Sequence, residues 1–532
     1  MKKHLLFLSV LVVISSSAYA DKYLRSGYSS GAQNGTSWTN AYNGDTAANW
    51  DTAFDAISSG ENVYVGEGTY PSTGTFSSSL ITGASTGIDY RKVIGAAVGT
   101  TTPLTGASRP VITGNWVKTA PTSGPTFFVG ADNSSYFWFE SLIITNFKGG
   151  IQTTTTGRVS HLTIKNVDIL EGRQPILWYG DDECQNGAAG GAGCPNTADD
   201  STDLNFDHLT ITNFTKTGVD FRRGVNDLVA DYLIVDAGGS SYNGSDCTKA
   251  GRYETDGSYQ TGMAIGAGTG GDGDSPDRDM VFTNSEFKNS HNCRVTGGAG
   301  EYTAGELYWQ GDGFASEGNS TGLVFTNSKF LDNTDGGVDI KGGGTFTDCI
   351  WARNKRNIRI WPATPAPTFT NCLSHNAQRY TGNTNSVNHV HFKGDATFNY
   401  CTFHNVMGSE SVDGRIFESE DDGSDDPDAV LTLNNSIYSV DNNSTHQDDG
   451  NDMTYFEASH SISLNSTVYW NGKTGQLSGT DPGYSNPTTA FNGDGTNYNN
   501  SLYGETKGYF YEEAAEAIAS FVGAILSGVK IS

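Results

Sequence analysis

Three aspartates and one arginine, Asp312, Asp335, Asp339 and Arg359, have the residue types and spacing that could do chemistry together. Carboxylate ligands with no histidine or cysteine among them favour calcium or magnesium over zinc, and their loose spacing in loops favours calcium. The alternative is that these aspartates only cap turns, as Asp and Asn often do. Spacing alone leaves the two interpretations equal.

A repeated phrase predicts how these residues come together. FTNSKF at 325–330 and FTDCIW at 346–351 place equivalent residues 21 positions apart. Each copy precedes a second short strand, which carries Asp339 in one repeat and Arg359 in the next. If equivalent positions stack, the carboxylate and the guanidinium share one column.

The same kind of phrase recurs along the chain and predicts the fold class. Asn146 and Asn166 are 20 residues apart, and Asp348 and Asn371 are 23 apart. Such close spacings, with insertions only between strands, indicate an all-β solenoid, a right-handed parallel β-helix. Gly and Asn suit the left-handed corners of its turns. The aligned strands are 137–147, 162–170, 206–214, 228–235, 281–287, 324–330, 345–351, 368–373, 396–403 and 431–438.

The first twenty residues have the features of a secretory signal. Two lysines precede a short apolar run, and small residues lead to Ala20. The run is too short to span a bilayer. Residues 1–20 are therefore expected to be removed near Ala20, which predicts a secreted protein, extracellular or periplasmic, with no membrane insertion of the mature chain.

The rest of the chain divides into a capped solenoid. Residues 21–70 are predicted to form an N-terminal cap and first strand, with a short helix that Asp45 N-caps and Gly60 ends. Residues 71–505 form the β-helix with its loop insertions. Residues 506–532 contain an amphipathic helix that is expected to cap the other end.

Net charge limits the partners of the chain. The formal charge is −27, and loss of Lys2 and Lys3 with the signal makes it −29. Such acidity argues against nucleic acid and anionic membranes and suits an extracellular protein. We expect a monomer.

The cysteines fall into two groups. Cys184 and Cys194 bracket a Gly-rich loop and are expected to form a disulfide, whereas sequence leaves the pairing of Cys247 and Cys293 open. The others share one slot of the repeated phrase with serines, which predicts a ladder of small, buried, unpaired side chains. The members of this ladder are Ser285, Ser328, Cys349, Cys372, Cys401 and Ser436.

The region 311–361 resembles the pectate lyases of polysaccharide lyase family 9. DGFASEGN followed by NTDGGVDI looks like that family's DGFA segment and its Asn-Ser-Asp-Asp-Gly-aromatic-Asp segment. By this resemblance Asp312, Asp335 and Asp339 match calcium-binding aspartates. Gly336 stands where the family has the second aspartate of a pair.

The resemblance implies β-elimination on an acidic polysaccharide, with calcium neutralising the uronate carboxylate. The position that matches the family's catalytic lysine is Arg359. Arginine is a difficult base because its pKa exceeds about 12, so the resemblance implies an alkaline optimum. Lys341 shares the face of Asp339 by two-residue alternation, so it is a second candidate for base or carboxylate clamp, or else a solvated surface lysine.

Three further residues are candidate substrate contacts. His389 and His391 fall one coil later on the same alternating face, where they could bind sugar hydroxyls, although a buried or merely exposed pair is the ordinary case. Trp361 offers a surface for sugar stacking, and core packing is its alternative role.

Two other functions compete with the lyase. The NTDGGVD segment also resembles a motif of polygalacturonase-type hydrolases. Those enzymes need paired carboxylates, which have no counterpart in the NKRN region at 354–357. We also find no Gly-His-Gly after that region. A non-catalytic β-helix, such as a surface adhesin or polysaccharide-binding protein, is the second alternative. Gly336 and the arginine at 359 favour it.

Overall fold

The computed structural model describes residues 20–83, 89–117, 120–131, 134–154, 159–179, 202–222, 224–238, 261–265, 279–290, 311–316, 320–377, 387–405, 414–419, 428–440, 454–455, 461–465, 468–471 and 476–478. Outside these residues lie nearly all of the predicted signal, the cysteines Cys184, Cys194, Cys247 and Cys293, and residues 506–532, for which a C-terminal helix is predicted.

Parallel strands build the described part of the chain. They form a sheet of 26 strands, sheet 1, and a sheet of 12 strands, sheet 2. The strands of sheet 2 are Ile81–Gly83, Thr126–Gly130, Gly149–Thr153, Ile176–Tyr179, Thr217–Arg222, Thr261–Ile265, Phe314–Ser316, Gly336–Ile340, Arg356–Ile360, Val387–Phe392, Gly414–Ser419 and Thr454–Tyr455. Each strand between the two ends of the sheet pairs with the strand one coil before it and the strand one coil after it.

Sheet 1 bends around the rest of each coil, so that later coils contribute two short strands to it. Its strands are Lys22–Arg25, Tyr42–Asn43, Asn62–Val65, Thr69–Tyr70, Arg91–Gly95, Val111–Thr113, Ser134–Phe147, Val159–Gly172, Leu204–Phe214, Leu228–Asp231, Ile234–Asp236, Val281–Thr283, Glu286–Lys288, Leu323–Thr326, Lys329–Leu331, Gly344–Thr347, Ile350–Ala352, Thr368–Thr370, Leu373–His375, Ala396–Asn399, Thr402–Asn405, Val430–Asn434, Ile437–Val440, Ser461–Asn465, Val468–Asn471 and Gln476–Ser478. Among these strands, the last two form the one antiparallel pair.

This arrangement confirms the right-handed parallel β-helix. The repeated phrase stacks in register, since Phe325 pairs with Phe346 and Phe346 with Phe369. Their rings stack face to face, with centroids 4.9 and 4.8 Å apart. A continuous core of such buried side chains runs through the coils, and its burial is the main favourable contribution to folding.

The turns use asparagine as the sequence predicts. Asn327 and Asn371 have φ of 50° and 53°, and Asp348 has 55°, which is the left-handed region that short polar side chains tolerate. The side-chain Nδ2 of Asn327 donates to Oδ1 of Asn284 one coil earlier, at 2.6 Å. These hydrogen bonds tie successive corners together.

The ladder of small side chains is also confirmed. Cys349, Cys372 and Cys401 are buried free thiols. The amide of Cys401 donates to the hydroxyl of Ser436 at 3.1 Å. Burial raises the pKa of the Cys349 and Cys372 thiols well above the usual value, so they stay protonated and unreactive.

The N-terminal helix is Ala47–Asp55 and packs over the first coils through buried Trp50 and Phe54. Two details of the prediction are wrong. Thr46 is the N-cap residue, because the Asp45 carboxylate instead accepts from the backbone amides of Gly27 and Ser72. The helix ends before Gly60, which lies in the following turn with φ of 85°.

No helix within the described residues is long and apolar enough to cross a membrane.

Candidate functional site

One row of sheet 2 carries three of the predicted residues, Asp339, Arg359 and His391. Asp339 pairs with Arg359 and Arg359 with His391 in the strand register, which confirms the predicted column. We call this row the site row. It consists of Asp220, Ala264, Ala315, Asp339, Arg359, His391 and Glu418, each on the next strand of the sheet.

Asp335 is surrounded by cations from the next coil. Its carboxylate is almost fully buried and accepts a hydrogen bond from Nη1 of Arg356 at 3.1 Å. Nη1 of Arg359 lies 3.7 Å from Oδ2, and Nζ of Lys355 lies 4.0 Å from Oδ1. The charge of a buried carboxylate requires such partners.

Asp339 is held from two sides. Nη1 of Arg359 donates to its Oδ2 at 3.3 Å, and the indole Nε1 of Trp361 donates to its Oδ1 at 2.6 Å. Arg359 therefore bridges Asp335 and Asp339, with its side chain 14% exposed. Of the four predicted charged groups, the guanidinium is the one that reaches toward solvent most.

Asp312 lies beside the glycine that distinguishes this chain from the pectate lyase pattern. The amide of Gly336 donates to Oδ1 of Asp312 at 2.7 Å. A Cβ at Gly336 would also lie 2.7 Å from that oxygen, so an aspartate there would need Asp312 to shift. Burial, and then the charges of Asp335 and Asp339, raise the pKa of Asp312 well above its usual value.

Carboxylate oxygens are the ligands that calcium and magnesium prefer. A divalent cation would also offset the repulsion among these three negative charges. Asp312 keeps a raised pKa because it faces two negative neighbours in a buried setting. Within the described residues, however, no three acidic, His or Cys side chains already converge as a metal site. Asp335 and Asp339 instead make ion pairs with Arg356 and Arg359. Calcium therefore remains a prediction.

The sequence prediction missed Lys355. Its side chain is fully buried beneath Asp335. Burial, and then the charge of Arg356, lower the pKa of Lys355 to about 7. A pKa near 7 suits a general base at neutral pH. Lys355 is nevertheless too deeply buried to touch a substrate. The sequence repeat places Lys355 one coil after Asp335, and this alignment could have identified Lys355 as a neighbour of the cluster.

Trp361 is surrounded by three cations. The Arg359 guanidinium carbon lies 4.7 Å from the ring centroid, Nζ of Lys393 lies 4.8 Å away, and Nζ of Lys341 lies 5.7 Å away. Lys341 thus lies against the indole in the structure. Lys393 was also missed, although alternation from His391 would have placed it on the same face.

The two histidines differ from the expectation. His391 lies in the site row beside Arg359, but it is only 2% exposed. The expectation that His389 shares this face is wrong, because its Nδ1 pairs with the buried hydroxyl of Ser374 at 2.8 Å. The register with the preceding coil pairs Asn388 and Val390 but skips His389, so the simple two-residue alternation fails here.

No family model matches the chain, and no curated protein matches it. Solved structures do show similarity. An alginate lyase from Paenibacillus sp. str. FPU-7 is 12% identical, with 79% of this chain and 97% of that chain covered and a TM-score of 0.35. A pectate lyase is also 12% identical, with 91% and 90% covered and a TM-score of 0.35.

A third similar structure is the surface protein and adhesin PfbA of Streptococcus pneumoniae. It is 12% identical, with 81% of this chain and 95% of that chain covered and a TM-score of 0.28.

Proposed function

We propose that this protein is a secreted enzyme that binds a uronate-containing polysaccharide on sheet 2 and cleaves it by β-elimination. The observation that carries the proposal is the register of Asp339 with Arg359, next to the buried carboxylates of Asp312 and Asp335. An acidic sugar needs cationic groups for its carboxylate and a base near its C5 proton. Arg359 in the site row, with Lys341 and Lys393 beside Trp361, could supply these groups.

Arg359 would carry the central step. Its guanidinium lies at the surface of the cluster and could clamp the uronate carboxylate or, when deprotonated, remove the C5 proton as the C4 oxygen leaves. Because arginine holds its proton up to a pKa above about 12, its use as a base implies higher activity at alkaline pH. Lys341, against the same indole, is the second candidate for the base.

Trp361 would position the sugar. Its ring offers an apolar surface for a sugar face, while Lys393 and Lys341 beside it supply positive charge for carboxylates. Its Nε1 fixes the orientation of the Asp339 carboxylate. His391 extends the row by one strand and is a candidate for hydrogen bonds to hydroxyl groups.

Asp312, Asp335 and Asp339 would hold calcium in this proposal. When bound, calcium would neutralise the uronate carboxylate and so acidify the C5 proton. The residues of the chain would then have to exchange partners, because Arg359 now contacts two of these three carboxylates. Added calcium would also relieve the repulsion that raises the pKa of Asp312.

A hydrolase receives less support from the same geometry. Hydrolysis needs a pair of carboxylates in acid and base roles. The coil after Asp335 presents Lys355, Arg356 and Arg359 to the cluster, which are all cations.

Binding without catalysis is favoured by one observation. Asp335 and Asp339 each have an arginine partner within the chain, so the cluster is charge-compensated without an added ion. Such a network could serve recognition alone, as in a polysaccharide-binding protein or adhesin.

Product analysis distinguishes these functions. Purified protein is incubated with polygalacturonate, pectin and alginate, with calcium or with a chelator. A lyase gives products with the ultraviolet absorbance of an unsaturated uronate, and we expect chelation to reduce it. New reducing ends without that absorbance would mean hydrolysis. Binding with neither product would mean a non-catalytic protein, and no binding to any of the three would contradict the proposal.

A further inference from the structure

A second charged region lies on sheet 2, several coils before Asp339. It is a cavity of about 250 Å³. The residues that line it are Lys148, Gln152, Arg173, Gln174, Leu177, Lys216 and Arg222. We call it the cationic pocket, because the described residues of its lining include four cationic side chains and no acidic one.

Three of these cations stack on one another. The amide of Arg173 donates to the carbonyl of Lys148, and the amide of Lys216 donates to the carbonyl of Arg173, both at 3.0 Å. The three residues therefore occupy one position in three successive coils. Like charges at stacked positions repel each other, and a bound anion would relieve that repulsion.

A buried carboxylate, that of Asp220, contacts two of the lining residues. Asp220 is 1% exposed and binds Nη2 of Arg222 at 2.7 Å and Nε2 of Gln174 at 2.8 Å. Nε2 of Gln152 donates to the carbonyl of Gln174 at 2.7 Å. This cationic lining lies in a chain whose net charge is −27.

The cationic pocket and the first cluster share the site row. In the strand register Asp220 pairs with Ala264, Ala264 with Ala315, and Ala315 with Asp339. Three spacings between neighbouring strands make a distance of roughly 14 Å. A ligand that extends along the sheet could thus contact both places at once.

We propose that the cationic pocket binds a carboxylate-bearing sugar unit of the acidic polysaccharide, at a distance from the site of cleavage. The choice of ligand depends on the function proposed above, whereas the stacked cations and the cavity do not. Because the two contacts lie on one chain of sugars, the second would raise affinity for long oligomers and leave short ones unaffected.

The test is the length dependence of binding. Galacturonate oligomers, and alginate oligomers in parallel, are titrated by calorimetry into protein with Arg359→Ala, so that the ligands stay intact. We expect affinity to rise once an oligomer can span both places. Adding Arg173→Gln with Lys216→Gln should lower affinity for long oligomers by at least about tenfold, and that for short oligomers by less than about twofold.

A control pair, Lys165→Gln with Lys329→Gln, removes the same charge from sheet 1 and should leave the length dependence unchanged. Melting temperatures verify folding, and Lys216→Gln alone serves if the double variant is unstable. No rise in affinity with length, or an equal rise in the double variant, would overturn the pocket. A rise without any cleavage by the wild-type protein would overturn the lyase and leave the pocket standing.

Discussion

Sheet 1 and the site row of sheet 2 stack residues in opposite ways. In sheet 1 one position carries phenylalanine on successive coils, and the rings of Phe325, Phe346 and Phe369 lie parallel. In the site row the residue changes at nearly every strand, and Asp339 is followed by Arg359. Both columns lie on stacked parallel strands, so they differ in their side chains and not in their backbone arrangement.

The difference shows which column serves stability. Repeated apolar rings bury surface and contact like neighbours, which is favourable in every coil. Buried charges instead incur a desolvation cost that their partners only partly offset. A column of unlike, charged residues is therefore unfavourable for folding alone and is better explained by binding or catalysis.

The largest expected effect is on activity. Arg359→Ala should reduce cleavage by about 10²- to 10⁴-fold, the range for loss of an acid–base group. Arg353→Ala is the matched control, because Arg353 makes a similar ion pair, with Asp332 at 2.7 Å, between the same two coils. It should keep wild-type activity. Equal activity of both variants in the unsaturated-product assay would remove Arg359 from the reaction.

The second prediction concerns the repeated column. Phe346→Ala removes a fully buried ring and should lower the free energy of unfolding by about 3–5 kcal/mol. Val229→Ala, at a side chain 52% exposed on sheet 1, should change it by less than about 0.5 kcal/mol. Denaturant titration measures both. If the Phe346 variant were as stable as the control, the stacked rings would not hold the coils together.

The third prediction follows from the lowered pKa of Lys355. Its folded pKa is about 7 against an ordinary 10.5, so between these values the unfolded chain binds more protons, and stability rises with pH. Lys355→Met removes the cost of a buried charge. We expect it to stabilise the protein by a few kcal/mol near and below pH 7, with the gain fading toward pH 10.5. A destabilised variant at every pH would show instead that the ion pair with Asp335 dominates.

The smallest effect is expected at Trp361. Trp361→Phe keeps a ring for sugar stacking but removes the hydrogen bond to Asp339, and kcat/KM should fall about tenfold. Trp138→Phe is its control, since Nε1 of Trp138 donates to Glu140 at 2.9 Å on sheet 1. Loss of activity in the control as well would indicate a general effect of tryptophan removal.

Much of the fold could be predicted from the sequence because the β-helix repeats its own pattern. The phrase at 325–330 and 346–351 gave the register, and the register placed Asp339 beside Arg359. Left-handed corners and the buried cysteine ladder followed from the same alignment.

The site could be predicted only in part, because its chemistry depends on burial and on the local strand register. His389 points inward where the strand register skips a position, which no alternation rule reveals. The lowered pKa of Lys355 depends on how deeply the side chain is buried. The cationic pocket draws on Lys148, Arg173 and Lys216, whose unequal spacings hide their stacking.

The most direct measurement is a crystal structure of the Arg359→Ala protein with a bound uronate oligomer. We expect the sugar chain to follow the site row of sheet 2, with a ring over Trp361 and a carboxylate near Asp335 and Asp339. An oligomer bound on sheet 1, or on sheet 2 without contact to Trp361 or this cluster, would contradict it.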